Sequence, residues 1–174
     1  HSSHHEFVER LLAQVQNWQP GDPLDPASRA GAMVSSRHSD RVMSYIQVAR
    51  EQGAELRCGG ERLTINNSNN FIQPTIFTGV RSDMQLMQEE IFGPVLAVMP
   101  FENEEQAIAL ANDSIYGLAA SLWSRHLSRA LRVAQRLSAG PAPGHTIHAL
   151  ELTRPLGGVL VDVLSPRAPL VVGG

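Results

Sequence analysis

The run Val95-Leu96-Ala97-Val98-Met99 constrains the fold of this chain more than any other stretch. Five apolar residues without polar alternation describe a strand covered on both faces, the habit of parallel sheets that carry helices on each side. Gly93-Pro94 fixes the backbone just ahead of it. Asn103 then offers an N-cap, and Gln106, three residues on, can complete a capping box. The helix that follows shows Ala107, Ile108, Leu110 and Ala111. Leu118 to Trp123 is a second apolar strand, and a helix from Ser128 to Leu137 ends at Gly140. The order strand, helix, strand, helix implies crossover connections and a mostly parallel sheet flanked by helices, an α/β fold.

The first half reads in the same terms. Phe7, Val8, Leu11, Leu12 and Val15 recur at helical spacing, so Glu6 to Gln16 is expected to be an amphipathic helix. Gln19-Pro20-Gly21-Asp22-Pro23 stops it. Val42, Ile46 and Ala49 mark a second helix, entered near Ser39 or Asp40 and closed by Gly53. Phe71 to Phe77 reads as a short strand interrupted by Pro74, which suits an edge or a strand end.

The chemistry concentrates just before the apolar run, in Gln88-Glu89-Glu90-Ile91-Phe92-Gly93-Pro94-Val95. Two adjacent carboxylates beside Ile91 and Phe92 must be solvated or hold a partner, because a buried charge without one is costly. With Gly93-Pro94 next to them, Glu90 and Phe92 are expected at a fixed corner. A carboxylate and a ring two residues apart suit a ligand with both a polyol and a flat ring. The alternative is a solvated acidic turn before an ordinary strand.

This octapeptide resembles the Glu-Glu-Ile-Phe-Gly-Pro motif of NAD(P)-dependent aldehyde dehydrogenases. Further segments fall in that family's order: Gly21-Asp22-Pro23-Leu24-Asp25-Pro26, then Val42, Tyr45 and Ile46, then Glu51-Gln52-Gly53-Ala54 and Gly59-Gly60. Gln73-Pro74-Thr75-Ile76-Phe77, Ala111-Asn112-Asp113-Ser114, Tyr116-Gly117-Leu118-Ala119-Ala120 and Ala139-Gly140 continue it. The resemblance runs from His1 to about Gly140, and implies that residues 1–140 are a partial catalytic domain. The stretch Asn17 to Pro26 looks like members that oxidise aminoaldehydes, of the gamma-glutamyl-gamma-aminobutyraldehyde type.

In such enzymes a cysteine thiolate attacks the aldehyde and the adduct gives a hydride to the nicotinamide. A glutamate-activated water then hydrolyses the thioester to the carboxylic acid. The resemblance implies that Glu90 accepts hydrogen bonds from the two hydroxyls of the nicotinamide ribose of NAD or NADP, and that Phe92 packs near the nicotinamide. It places the catalytic cysteine, the glycine-rich nucleotide-binding turn and the general-base glutamate upstream of anything seen here. No catalytic residue is therefore assigned. The only cysteine, Cys58 in Leu56-Arg57-Cys58-Gly59-Gly60, reads as a structural thiol, with no base patterned near it.

Beyond Gly140 the character changes. Pro141, Pro143, Pro155, Pro166 and Pro169 are five of the chain's eleven prolines. The first two are expected to spoil the family's next strand. Leu156-Gly157-Gly158 recovers some likeness, which is lost past Val159. Residues 141–174 are read as a divergent Pro- and Gly-rich tail, arising from an altered reading frame or, as the rival reading, from genuine divergence.

A formal net charge of −3 and a pI near 6.2 argue against a nucleic-acid footprint. No apolar run is long enough to span a bilayer, so no membrane partner is expected. One cysteine makes a reducing, cytoplasmic setting the default. An opening histidine in place of methionine fits a partial sequence. The resemblance implies an aldehyde substrate and a homo-oligomer for the full-length enzyme. A non-catalytic binding remnant of the same fold, and an unstable remnant exposing apolar faces, stand as the other readings.

Three lesser features are read as structural. Around His1, His4 and His5 the sequence places no carboxylate or Cys at liganding spacing apart from Glu6, and they are expected to be a solvated chain end. Arg125, Arg129, Arg132 and Arg136 form a stripe on a solvated helix face, and Trp18 and Trp123 are expected in the core or at an interface.

Overall fold

The computed structural model describes residues 3–117, 119–124, 126–138, 146–151 and 169–173, with side chains described between residues 4 and 138 except at 118, 119 and 125. The chain divides into two units, Glu6–Val98 with Val172–Gly174, and Met99–Val171 with His1–His5.

In the first unit, α1 (Ser3–Val15) places Val8 in the core, as the spacing of its apolar residues requires. A 3-10 turn, Gln16–Trp18, ends it, and Trp18 is exposed rather than part of the core. Helix α2 (Ser36–Glu51) begins earlier than Ser39 or Asp40. Its N-cap is Ser35, whose hydroxyl accepts from the His38 amide at 3.1 Å. Ser39 is buried in the first turn and donates to the Ser35 carbonyl. The helix closes at Gly53, which has φ +92, with the Ala54 amide returning to the Ala49 carbonyl.

Four short strands follow: β1 (Glu55–Cys58), β2 (Arg62–Ile65), β3 (Ser68–Ile72) and β4 (Thr75–Thr78). β2 and β3 form an antiparallel hairpin turned by Asn66 and Asn67, both left-handed. Such a turn favours asparagine, whose short polar side chain tolerates positive φ. The expected single strand from Phe71 to Phe77 is thus two, with Pro74 between them. A one-turn helix α3 (Gln85–Gln88) leads to β5 (Val95–Pro100), the apolar run.

The main sheet has the order β1-β4-β5-β8, where β8 is Pro169–Gly173. β4 pairs parallel with β5, Thr75 opposite Val95, and antiparallel with β1, Glu55 opposite Thr78. The α/β class holds, with a mixed sheet. Pro74 stands just outside β4, where its missing N–H costs no ladder bond, so β4 can be an interior strand.

The second unit is built from α4 (Glu104–Asn112), β6 (Ala119–Ser124), α5 (Leu127–Ala134) and β7 (Thr146–Glu151). Asn103 caps α4, accepting from the Gln106 amide at 2.9 Å. The Gln106 side chain accepts from the Glu102 amide, one residue earlier than a capping box requires. β6 and β7 pair in parallel over six residues each. The prolines expected to spoil this strand precede it. From Thr146 onward every residue of β7 carries a backbone N–H. Residues 152–168 of the segment expected to be a divergent tail lie outside the described residues, as do Gly140, Pro141 and Pro143.

Phe101, Ile108, Leu122, Ala130 and Val133 form the core of this unit. Two arginines of the stripe clasp α4, while Arg125 lies outside the described residues. Arg132 grips Glu104 with two nitrogens at 2.8 Å each, and Arg136 pairs with Glu105 in the same forked manner.

Candidate functional site

The segment 88–95 is a corner between α3 and β5, and each of its residues has a separate environment. Glu89 is exposed, yet both its oxygens are engaged: the Tyr45 hydroxyl donates at 2.5 Å and the Gln85 amide at 3.0 Å. Those two bonds, the tyrosine's first, hold the Glu89 carboxyl below the usual carboxylate range. Ile91 points into the core and is 3% exposed. It anchors the corner from beneath.

Glu90 lies half-buried between these two. Among the described residues no side chain or backbone amide donates to its carboxylate. Phe92 is 65% exposed, an unusual position for so large an apolar ring. It also has φ +54, a left-handed conformation that costs a non-glycine residue about 1–2 kcal/mol. A strained aromatic held out of the core needs a local constraint to persist.

That constraint comes from α2. The His38 ring nitrogen Nε2 lies 2.6 Å from the Phe92 carbonyl oxygen. Since a carbonyl only accepts, Nε2 carries the hydrogen. Gly93 abuts Val42, and a Cβ placed on Gly93 would lie 2.8 Å from both Val42 methyls. Pro94 completes the corner. The Val95 amide returns to the Gly93 carbonyl at 2.8 Å, and the Pro94 carbonyl accepts from the Thr75 amide at 2.8 Å, locking the exit onto β4.

The two residues singled out in the sequence both lie on this corner, Glu90 half-buried and Phe92 exposed. The corner thus offers a half-buried carboxylate with no donor among the described residues and, two positions on, an exposed ring. Sequence reasoning overlooked His38 and the tie between Tyr45 and Glu89. The signal was present: positions 38, 42 and 45 share one face of α2, with Val42 and Tyr45 both buried. What they face could not be read from spacing.

The other candidates separate from this corner. Cys58 is half-buried, its thiol 3.7 Å from the Pro74 carbonyl, and burial pushes it above the ordinary thiol value. Among the described residues no three His, Cys, Asp or Glu side chains group as a metal site. No described helix is long and apolar enough to cross a membrane.

Residues 1–160 match the description "Aldehyde dehydrogenase family". The NADP/NAD-dependent aldehyde dehydrogenase PuuC of Escherichia coli is 45% identical over 88% of this chain and 30% of its own length. The aminoacetaldehyde dehydrogenase of Pseudomonas aeruginosa is 40% identical over 87% of the chain and 30% of its own. Among solved structures, the Pseudomonas syringae indole-3-acetaldehyde dehydrogenase AldA, in complex with NAD+, is 43% identical with a TM-score of 0.75, over 77% of this chain and 27% of that one. A Mycobacterium tuberculosis aldehyde dehydrogenase complexed with NAD+ is 42% identical, TM-score 0.75, over 79% of this chain and 28% of that one. The chain spans 27–30% of the length of these relatives. On this likeness and this corner, the chain belongs to the aldehyde dehydrogenase family.

Proposed function

We propose that this chain is the C-terminal portion of an enzyme that oxidises an aldehyde to a carboxylic acid with NAD or NADP, and that it supplies the grip on the cofactor's nicotinamide ribose. The observation that carries the reading is the pairing of Glu90, whose carboxylate has no donor among the described residues, with the exposed ring of Phe92. Two adjacent ribose hydroxyls match the two oxygens of one carboxylate, in charge-assisted bonds. Phe92 limits where the neighbouring ring can lie. When bound, the nicotinamide serves as hydride acceptor. Residues 1–140 then form part of the catalytic domain, and 141–174 a divergent tail.

Similarity to an aminoacetaldehyde dehydrogenase supports an aminoaldehyde as substrate, and similarity to the NADP/NAD-dependent PuuC supports either cofactor. The lone cysteine and the family likeness support a cytoplasmic homo-oligomer for the complete enzyme.

The test is Glu90→Gln in the complete enzyme. The neutral amide keeps the size of the side chain but replaces one acceptor with a donor. Turnover should fall by about a hundredfold or less, as for a misplaced reacting group, with the melting temperature unchanged. A variant with wild-type affinity for NAD+ and wild-type turnover would sink the assignment.

A further inference from the structure

We infer that one face of α2, made of His38, Val42 and Tyr45, is the positioning device for the Glu90–Phe92 pair. These residues stand at i, i+4 and i+7, so their side chains emerge in line along two turns of a single helix. Each meets a different point of the corner. Tyr45 donates to the Glu89 carboxylate on the entering side, at 2.5 Å. Val42, fully buried, fills the space left by the missing side chain of Gly93. His38 donates to the Phe92 carbonyl at 2.6 Å.

Three contacts from one rigid element bracket Glu90 on both sides without touching its carboxylate. The bracket also accounts for the strain. A left-handed phenylalanine with its ring in solvent relaxes unless its backbone is held, and the His38 bond is made to the carbonyl of that residue. Tyr45 removes Glu89 from competition, so the neighbouring acid is the one left for a ligand. The tyrosine is itself steadied, with the Arg41 guanidinium 5.6 Å above its ring. His38 and Tyr45 are therefore positioning residues that act through the corner.

The inference rests on the cofactor-grip reading above, and two measurements keep the two separable. In the complete enzyme, NAD+ KM and kcat are measured for His38→Ala, His38→Gln, Tyr45→Phe and Glu90→Gln. His38→Ala should impair kcat/KM for NAD+ about tenfold, less than Glu90→Gln, because the corner loosens while the carboxylate remains. His38→Gln, which keeps an N–H donor, should recover most of that loss, whereas a merely structural site would gain nothing from it. Impairment by Glu90→Gln with no effect of His38→Ala and Tyr45→Phe overturns the bracket and leaves the grip standing.

The second measurement is nitrogen-15 NMR of the 174-residue chain. The His38 ring should be the Nε2–H tautomer, and the Phe92 and Gly93 amide signals should shift in His38→Ala. An Nδ1–H tautomer, or amide signals that stay in place, overturns the bracket whatever the kinetics show. If Glu90→Gln is silent in the kinetics, these spectra still decide the bracket alone, and only the grip is lost.

Discussion

Gly93 is the residue at which the corner is least forgiving. Its backbone lies so close to Val42 that a methyl group would overlap both valine methyls, and Val42 is fully buried with nowhere to retreat. Gly93→Ala should therefore destabilise the chain by about 1–3 kcal/mol, the usual cost of overpacking, visible as a lower midpoint in urea. Combined with Val42→Ala, it should cost less than the sum of the two single changes, because the added methyl occupies the space the valine methyls vacate. The Tyr45–Glu89 bond carries a pH dependence instead. Glu89's carboxyl is held below its ordinary value, so its contribution is present above the unfolded carboxylate's pKa and lost as pH falls through the lowered one. The gap in melting temperature between wild type and Tyr45→Phe should accordingly be larger at neutral pH than in acid. A gap that stays constant with pH would mean that the hydroxyl, not the charge it binds, is responsible. That Glu90 and Phe92 would stand at a fixed corner was legible in the sequence, because Gly93-Pro94 follows them directly. His38 was not, since one histidine on a helix gives no sign of the carbonyl it reaches 54 positions later.

Among elements, the helices were the most legible and the short strands the least. α2 announced itself by apolar spacing and its closing Gly53, and α4 by apolar spacing and its Asn103 cap, all local properties, whereas the Ser35 cap of α2 was missed. Ser35→Ala should cost about 1 kcal/mol by freeing the amide that its hydroxyl now satisfies, whereas Ser36→Ala, one residue along, should cost far less. Thermal melts of the two variants decide between this start and the later one read from Ser39 or Asp40. The β2–β3 hairpin passed unnoticed because Ser68-Asn69-Asn70 has poor strand propensity and its pairing with Arg62–Ile65 is a tertiary fact. The arginine stripe shows the same limit. Its period was plain, but the glutamates of α4 that receive it sit 28 and 31 residues away. Being exposed, those pairs should respond to salt.

For the whole molecule, the chemistry present and the chemistry missing make one prediction. The 174-residue chain should show no NAD+ reduction with any aldehyde, because its sole thiol is half-buried, raised in pKa and turned toward the Pro74 carbonyl. Absorbance at the reduced-nicotinamide band checks this, and activity abolished by Cys58→Ser would refute it. The sequence alone determined the α/β class, the helices, the apolar strand β5 and the motif of the corner. All of these follow from periodicity, caps and the chemistry of neighbouring residues. Only the tertiary structure decided that β4 is an interior strand, that Glu89 is spent on Tyr45 while Glu90 is not, and that α2 brackets the corner. The reason is physical: propensity and spacing act within a few residues, whereas a hydrogen bond or a close backbone contact depends on which distant segments packing brings within 3 Å.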